Sequence, residues 1–394
     1  MNPLASLGII LVLALLAGHL AKFVHVPQVT GYILAGVAVG PSFLGWISHE
    51  NLASLEVFSE VALGLILFSI GSVFEVSRFR EIGRRAVLIT ITESMLAGVI
   101  VSVGMRFAGQ PWTVSMLLGA IAIETAAAST LMVMRECNSA GPLTEMLTGV
   151  IALNNICCLV CFSLAATAIE LSLRSNANTG FSYTLQESIF PLAWQLIGSA
   201  ALGYLIGVVF SAWASRVNDR GETLILMAGA VLVCVGFAEW LDLSPLIASL
   251  AVGATMANLS SRSRRLFDAL SRTDPPLYAI FFVIAGADLN VALLPGLGIF
   301  GAIYILGRAA GKFTGTRYGA RLGGMKPGIQ RLLGLAMLSQ AGLAIGLVLV
   351  TQDRFPQIGP TISTIVLASV AIFELVGPLG ARFALQKSGE VREH

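Results

Sequence analysis

Two short stretches concentrate polar side chains inside otherwise apolar runs. In GAIAIETAAASTLMVM, Glu124, Thr125, Ser129 and Thr130 break up small and apolar residues, and in IALNNICCLV, Asn154 and Asn155 sit side by side. Both runs are of membrane length, and a carboxylate at the centre of a bilayer costs roughly 2.5–3.5 kcal/mol on insertion scales. Groups retained at that cost mark an ion or substrate path. Glu60, Glu93, Arg308, Lys312 and Glu374 also fall well inside apolar segments. Arg308 and Glu374 lie at similar depth on segments running the same way, which predicts a structural ion pair between them. Glu60 and Glu93 read as helix-to-helix hydrogen-bonding groups. No nucleophile and base pair, metal motif or phosphate loop emerges, so neither an enzyme nor a cofactor is expected. Cys158 and Cys161 form a C-x-x-C, but without partner ligands they read as packing residues.

The remaining chain must hold those groups in a bilayer. Hydrophobic residues make up 56% and charged residues 12% of the chain, with mean hydropathy +0.84, which excludes an ordinary soluble domain. A net charge of +2 without a basic block argues against a nucleic-acid partner. Thirteen spans of about 20 residues, the length a ~30 Å hydrocarbon core demands, are expected near 4–23, 28–46, 53–74, 85–107, 112–134, 143–170, 188–213, 222–241, 244–260, 275–293, 297–318, 330–350 and 359–384. Over such lengths in lipid only helices satisfy their own backbone, so the expected fold is an all-α membrane protein, one transmembrane domain over 1–394. Nineteen of the 24 lysines and arginines fall in links after odd-numbered spans or in the C-terminal tail. By the positive-inside rule the N-terminus lies outside and the C-terminus in the cytoplasm. The link near 171–187, rich in Ser, Asn and Thr, reads as a flexible outer connection.

The two halves look related. VPQVTGYILAGVAVGP in span 2 and LSPLIASLAVGATMAN in span 9 share an early proline, small residues and a glycine-bearing end. Span 5, interrupted at IETAAAST, corresponds to span 12, where LSQAGLAIG brings in Ser339, Gln340, Gly342 and Gly346. Each pair is seven spans apart, an odd number, so the copies cross the membrane in opposite directions. The reading is an inverted repeat, 1–170 and 222–394 joined by 171–221, with two discontinuous helices and a midplane site. Many secondary transporters are built this way. Ser339, Gln340 and Gly342 then support the second interruption. Compositional likeness among glycine-rich helices is the competing explanation, and it would leave span 5 unbroken.

VPQVTGYILAGVAVGPSFLGWI, LGLILFSIG, TAAAST, LSPLIASLAVGA, FFVIAGADL, LLGLAMLSQAGLAIGL and FELVGPLGARFAL follow one another along nearly the whole chain. In that order they resemble the membrane domain of the monovalent cation:proton antiporter-2 family, which contains sodium/proton exchangers and Kef-type potassium efflux transporters. The resemblance implies exchange of a monovalent cation, Na+ or K+, for protons across a bacterial inner membrane. It also implies a homodimer, crossed broken helices and an elevator-like movement of a core. One departure stands out. Where such antiporters carry Asp-Asp, Asn-Asp or Gln-Asp in the sixth span, this chain has Asn154-Asn155, and the family's ion-binding carboxylate falls on Asn155. An amide neither titrates nor neutralises a bound cation. Either another carboxylate has taken over, or the coupling has been lost or changed, or an Asp-to-Asn substitution has been introduced.

Glu124 is the candidate replacement, because the family geometry puts the span 5 interruption beside Asn154 and Asn155. Thr125, Ser129, Thr130 and the amide carbonyls of Asn154 and Asn155 could replace water around Na+ or K+ there. One carboxylate trading one ion for one proton is electroneutral, and span 10 lacks the lysine that electrogenic relatives often place there. The competing role for Glu124 is to hydrogen-bond the backbone freed by the interruption. At the level of the whole protein the alternatives are a different solute on the same scaffold, or a transport-inactive membrane protein.

Overall fold

The structure, a computed structural model, describes residues 3–71, 74, 76–174, 193–217, 219–260, 263, 266, 267, 270, 274–289 and 297–391. Helices dominate those residues and no strand occurs among them. In chain order they are α1 (Pro3–Phe23), α2 (Gln28–Val39), α3 (His49–Gly71), α4 (Val76–Phe107), α5 (Trp112–Ala122), α6 (Ala127–Glu136) and α7 (Pro142–Arg174). After a π-helical turn at Trp194–Gly198 come α8 (Ser199–Ala214), α9 (Arg220–Trp240), α10 (Pro245–Leu259) and α11 (Asp274–Asp288). The chain closes with α12 (Gly298–Leu322), α13 (Pro327–Ala336), α14 (Gly342–Arg354) and α15 (Gly359–Ser388).

Local sequence sets many of the starts. Pro27 and Pro111 precede α2 and α5, and Pro245 and Pro327 open α10 and α13, where a missing N–H costs nothing. Asp219 caps α9 by accepting from Gly221 N at 2.7 Å and Glu222 N at 3.2 Å. The start of α7 is capped from far along the chain: the Glu390 carboxylate accepts from Leu143 N and Thr144 N at 2.7 and 2.8 Å.

Among the described residues seven segments are long and apolar enough to cross a membrane, and five shorter apolar helices accompany them. Large apolar side chains face outward in quantity, among them Leu15, Leu16, Phe107, Ile225 and Trp240, as expected where lipid is the solvent. Most expected spans coincide with these helices. The link expected from 171 onward is still helical to Arg174, and 175–192, which hold the rest of it and the start of span 7, lie outside the described residues.

The helices pack in two groups. In one, α4 lies along α12, with α5, α7, α13 and α15 gathered round them. In the other, α2 lies on α11 and α10 lies on α3 and α8. Glycine decides both of the latter contacts with α2 and α3. A Cβ on Gly36 would collide with the Val283 carbonyl, and one on Gly253 with the Phe68 carbonyl, so the backbones touch. The groups meet along a seam formed by α2, α3 and α11 on one side and α6, α14 and α15 on the other.

Candidate functional site

Two membrane helices are interrupted, one between α5 and α6 at residues 123–126, the other between α13 and α14 at residues 337–341. The interruptions touch. Ala126 N donates to Ser339 O at 3.0 Å, and Thr125 Oγ1 reaches Met337 O at 3.5 Å. Each break frees backbone groups in a dry interior, and each freed carbonyl needs a donor.

Two cations one helical turn apart on α12 supply them. Arg308 Nη1 donates to Leu338 O at 2.6 Å, and Nη2 to Glu124 O at 2.6 Å and Ser339 O at 3.0 Å. Lys312 Nζ donates to Ile123 O at 2.5 Å and Thr125 Oγ1 at 2.7 Å, and is ion-paired with Glu93 of α4. Positive charge therefore sits where the half-helices α5 and α13 end, the end at which a helix dipole favours it. Gln340 completes the junction, with Nε2 donating to Ile121 O at 3.1 Å and Tyr304 Oη at 2.9 Å.

The expected ion pair between Arg308 and Glu374 is absent. The Arg308 guanidinium is committed to the three carbonyls and lies 4.3 Å from the Phe373 ring centroid. Glu374 instead accepts from Ser129 Oγ at 3.4 Å. Matching depth fixed neither the rotation of each helix nor the demand of the broken backbones. Among the described residues the fully buried ion pair is Glu93 with Lys312, two residues that depth alone did not join.

The expected oxygen-rich set divides into two nodes. In one, Asn154 Nδ2 donates to Ile123 O at 2.8 Å, Glu93 Oε2 at 3.0 Å and Ser94 Oγ at 3.4 Å, so its amide braces the Glu93 and Lys312 pair. Thr125 belongs to this node through Lys312. Asn155, the next residue on α7, is half-buried, and the Oδ1 atoms of both asparagines lack a hydrogen-bond partner. In the other node, Glu124 Oε2 accepts from Ala341 N at 3.3 Å, just before Gly342 begins α14. Glu124 is 1% exposed and forms no salt bridge. Ser129 and Glu374 lie on this side. Thr130 turns back into its own helix, bonding Ala126 O at 3.2 Å.

A cavity of about 570 Å³ opens in the seam beside this second node. Ala341, Gly342 and Glu374 line it, as do Glu60 from the middle of α3 and Asp288 at the end of α11. No lysine, arginine or histidine is among its lining residues. At the opposite end the seam is closed. Gln28 N donates to Glu136 Oε2 at 2.8 Å, and Arg135 Nη2 donates to Ser69 Oγ at 2.5 Å with its guanidinium 5.9 Å from the Tyr278 ring centroid. Arg382 approaches Glu136 at 3.6 Å.

A helical membrane bundle with two touching breaks, buried charge between them and a seam cavity is the build of a secondary transporter, not of an enzyme. The profile of the sodium/hydrogen exchanger transmembrane family matches residues 8–387, and the chain belongs to that family. The resemblance to cation:proton antiporters drawn from the sequence motifs holds at that level. Among curated proteins, an ammonium/H(+) antiporter subunit, AmhT, of Alkalihalophilus pseudofirmus is 24% identical over 289 residues, 73% of this chain and 70% of the relative. Two structures of the sodium proton antiporter MjNhaP1 from Methanocaldococcus jannaschii share the fold at 17% identity. One, at pH 8, has a TM-score of 0.72 and covers 99% of this chain and 97% of its own. The other, an electron-microscopy map, has a TM-score of 0.75 and covers 99% of both.

Proposed function

We propose that the protein exchanges a monovalent cation for a proton at Glu124, one for one and without net charge movement. The observation that carries this reading is the charge balance of the buried groups around the two breaks. Glu93, Glu124 and Glu374 are each at most 4% exposed, and among the described residues Arg308 and Lys312 are the fully buried cations that oppose them. With every group ionised the set is one positive charge short, and a lone buried charge is costly. One proton or one Na+, K+ or ammonium ion makes up the deficit equally well, so the two compete for the same place. Glu93 is held by Lys312, which leaves the deficit on the side of Glu124.

Glu124 also caps α14 through Ala341, so the structural role and the exchange role share one carboxylate. Movement of an ion to or from it would loosen the junction between the breaks. Asn154 and Asn155 then serve as neutral amides that hold the ion-paired node and supply carbonyl oxygen, in a span where a second carboxylate would overcharge the set.

The seam supports alternating access. By the distribution of lysine and arginine, the ends of α3, α11 and α14 that border the cavity face outside, and the Arg135 and Glu136 contacts face the cytoplasm. In this reading the structure is outward-open, and α4–α7 with α12–α15 move as the core. An inverted repeat of thirteen spans with crossed interruptions belongs to this reading, and what supports it is that the contact of α2 with α11 has a counterpart in that of α10 with α3. A homodimer in a bacterial inner membrane belongs to the same reading, and cross-linking in native membranes tests it. The functional test is flux into proteoliposomes carrying a pH dye. Addition of Na+, K+ or ammonium should release protons from wild-type vesicles and not from folded Glu124→Gln vesicles, and no response to any of them would overturn the reading.

A further inference from the structure

Glu374 has no place in the sequence-based ion site, and the ion pair expected for it does not form. It is 4% exposed, forms no salt bridge, and lines the seam cavity on the same wall as Ala341 and Gly342. The N–H of that Ala341 is bonded to Glu124, so the backbone Glu124 holds borders the same cavity as Glu374. Ser129 Oγ, on the half-helix that follows the Glu124 break, donates to Glu374 at 3.4 Å.

A second observation points to a ligand. Ser339 Oγ and Gln340 Oε1 are fully buried in the adjacent break and have no hydrogen-bond partner. Ser339 Oγ lies against Gly377, one turn along α15 from Glu374, since a Cβ on Gly377 would collide with it. Buried oxygens without donors cost free energy unless something positive satisfies them. Monovalent cations that shed water need this kind of hard oxygen donor.

We propose that Glu374 is a second ion-contacting carboxylate, and that a monovalent cation entering from the seam cavity is taken between Glu374 and Glu124, with Ser129 Oγ and Ser339 Oγ as neutral ligands. The inference rests on the antiport reading and adds a residue to it. The charged groups around this site are Glu124 from the first break, Arg308 and Lys312 from α12, which are committed to the broken backbones and to Glu93, and Glu60 and Asp288, which also line the cavity. The single negative charge of the buried set is then shared by two carboxylates that take one proton or one cation between them. Replacing Glu374 by a neutral residue removes the deficit that draws the cation in.

The test is the cation concentration giving half-maximal proton release in proteoliposomes, measured for wild type, Glu374→Gln, Glu374→Asp and Ser129→Ala, with thermal stability recorded for each. Glu374→Gln should raise that concentration at least tenfold for Na+, K+ and ammonium, and Glu374→Asp and Ser129→Ala should raise it a few-fold, in proteins that melt near the wild-type temperature. A folded Glu374→Gln protein with wild-type half-saturation overturns the assignment of Glu374 and the charge count that includes it, whereas exchange at Glu124 is overturned separately, by proton release that survives in a folded Glu124→Gln protein. If Glu374→Gln does not fold, unchanged half-saturation in both other variants overturns the assignment instead. If wild type releases no protons with any of the cations while remaining folded, both the assignment and the antiport reading fall.

Discussion

Lys312→Met removes the cation from the most buried ion pair among the described residues. Lys312 and Glu93 are both fully buried, and the lysine also serves Ile123 O and Thr125 Oγ1. Without it, Glu93 keeps only the Asn154 amide at 3.0 Å and the Ser94 hydroxyl at 3.3 Å, and the Ile123 carbonyl keeps only Asn154. Breaking a buried pair by removing one partner costs about 3–5 kcal/mol, because the remaining charge is left uncompensated. At 2–4 °C per kcal/mol for domains of 150–250 residues, and somewhat less for a longer chain, the melting temperature should fall by about 5–15 °C. The double variant Glu93→Gln, Lys312→Met removes both charges and should recover more than half of that loss. Thermal denaturation of the detergent-purified protein, followed by size-exclusion chromatography of what stays soluble, measures both. A single variant within about 2 °C of wild type, or a double variant less stable than the single, would refute the claim that this pair holds the first break.

Asn155→Asp adds a negative charge to a set already one positive charge short. Exchange by that variant should be sensitive to membrane potential, whereas the proposed one-for-one exchange of the wild type should not be, as read by flux with the potential clamped by valinomycin and potassium. Gly253→Ala forces α10 away from α3 and should cost about 1–3 kcal/mol, the range for overpacking, while Gly229→Ala, with open space around it, should be close to neutral by the same denaturation measurement. Arg135→Ala removes the hydrogen bond to Ser69 and the contact with Tyr278. In a background lacking the five native cysteines, Ser69→Cys should then react faster with an impermeant thiol reagent added from the side that the Arg135 end of the seam faces, which the proposed orientation makes the cytoplasmic one. Unchanged labelling would mean that Arg135 does not seal that end of the seam.

The all-helical membrane build and the two interruptions were legible in the sequence because lipid imposes a simple rule: apolar length for the crossing, small and polar residues where a helix is allowed to fail. Glu124 stood out for the same reason, a carboxylate in a run with no other charge. The partners of the buried charges were not legible. Glu93 and Lys312 are far apart in sequence, and which residues meet depends on how each helix is rotated, which hydropathy does not report. Arg308 was given the wrong partner because its work is to satisfy backbone carbonyls, and those exist only once the helices are broken. The i, i+4 spacing of Arg308 and Lys312 was the available signal: two cations on one face of a membrane helix need more than one acceptor on the facing elements.

Proton release on cation binding by the purified protein in weak buffer tests the central claim most directly, since it needs neither a gradient nor a sealed vesicle. The account predicts about one proton released per cation bound by wild type, and none from a folded Glu124→Gln protein. Cation binding with no proton release, or equal release from the Glu124→Gln protein, would contradict exchange at this carboxylate.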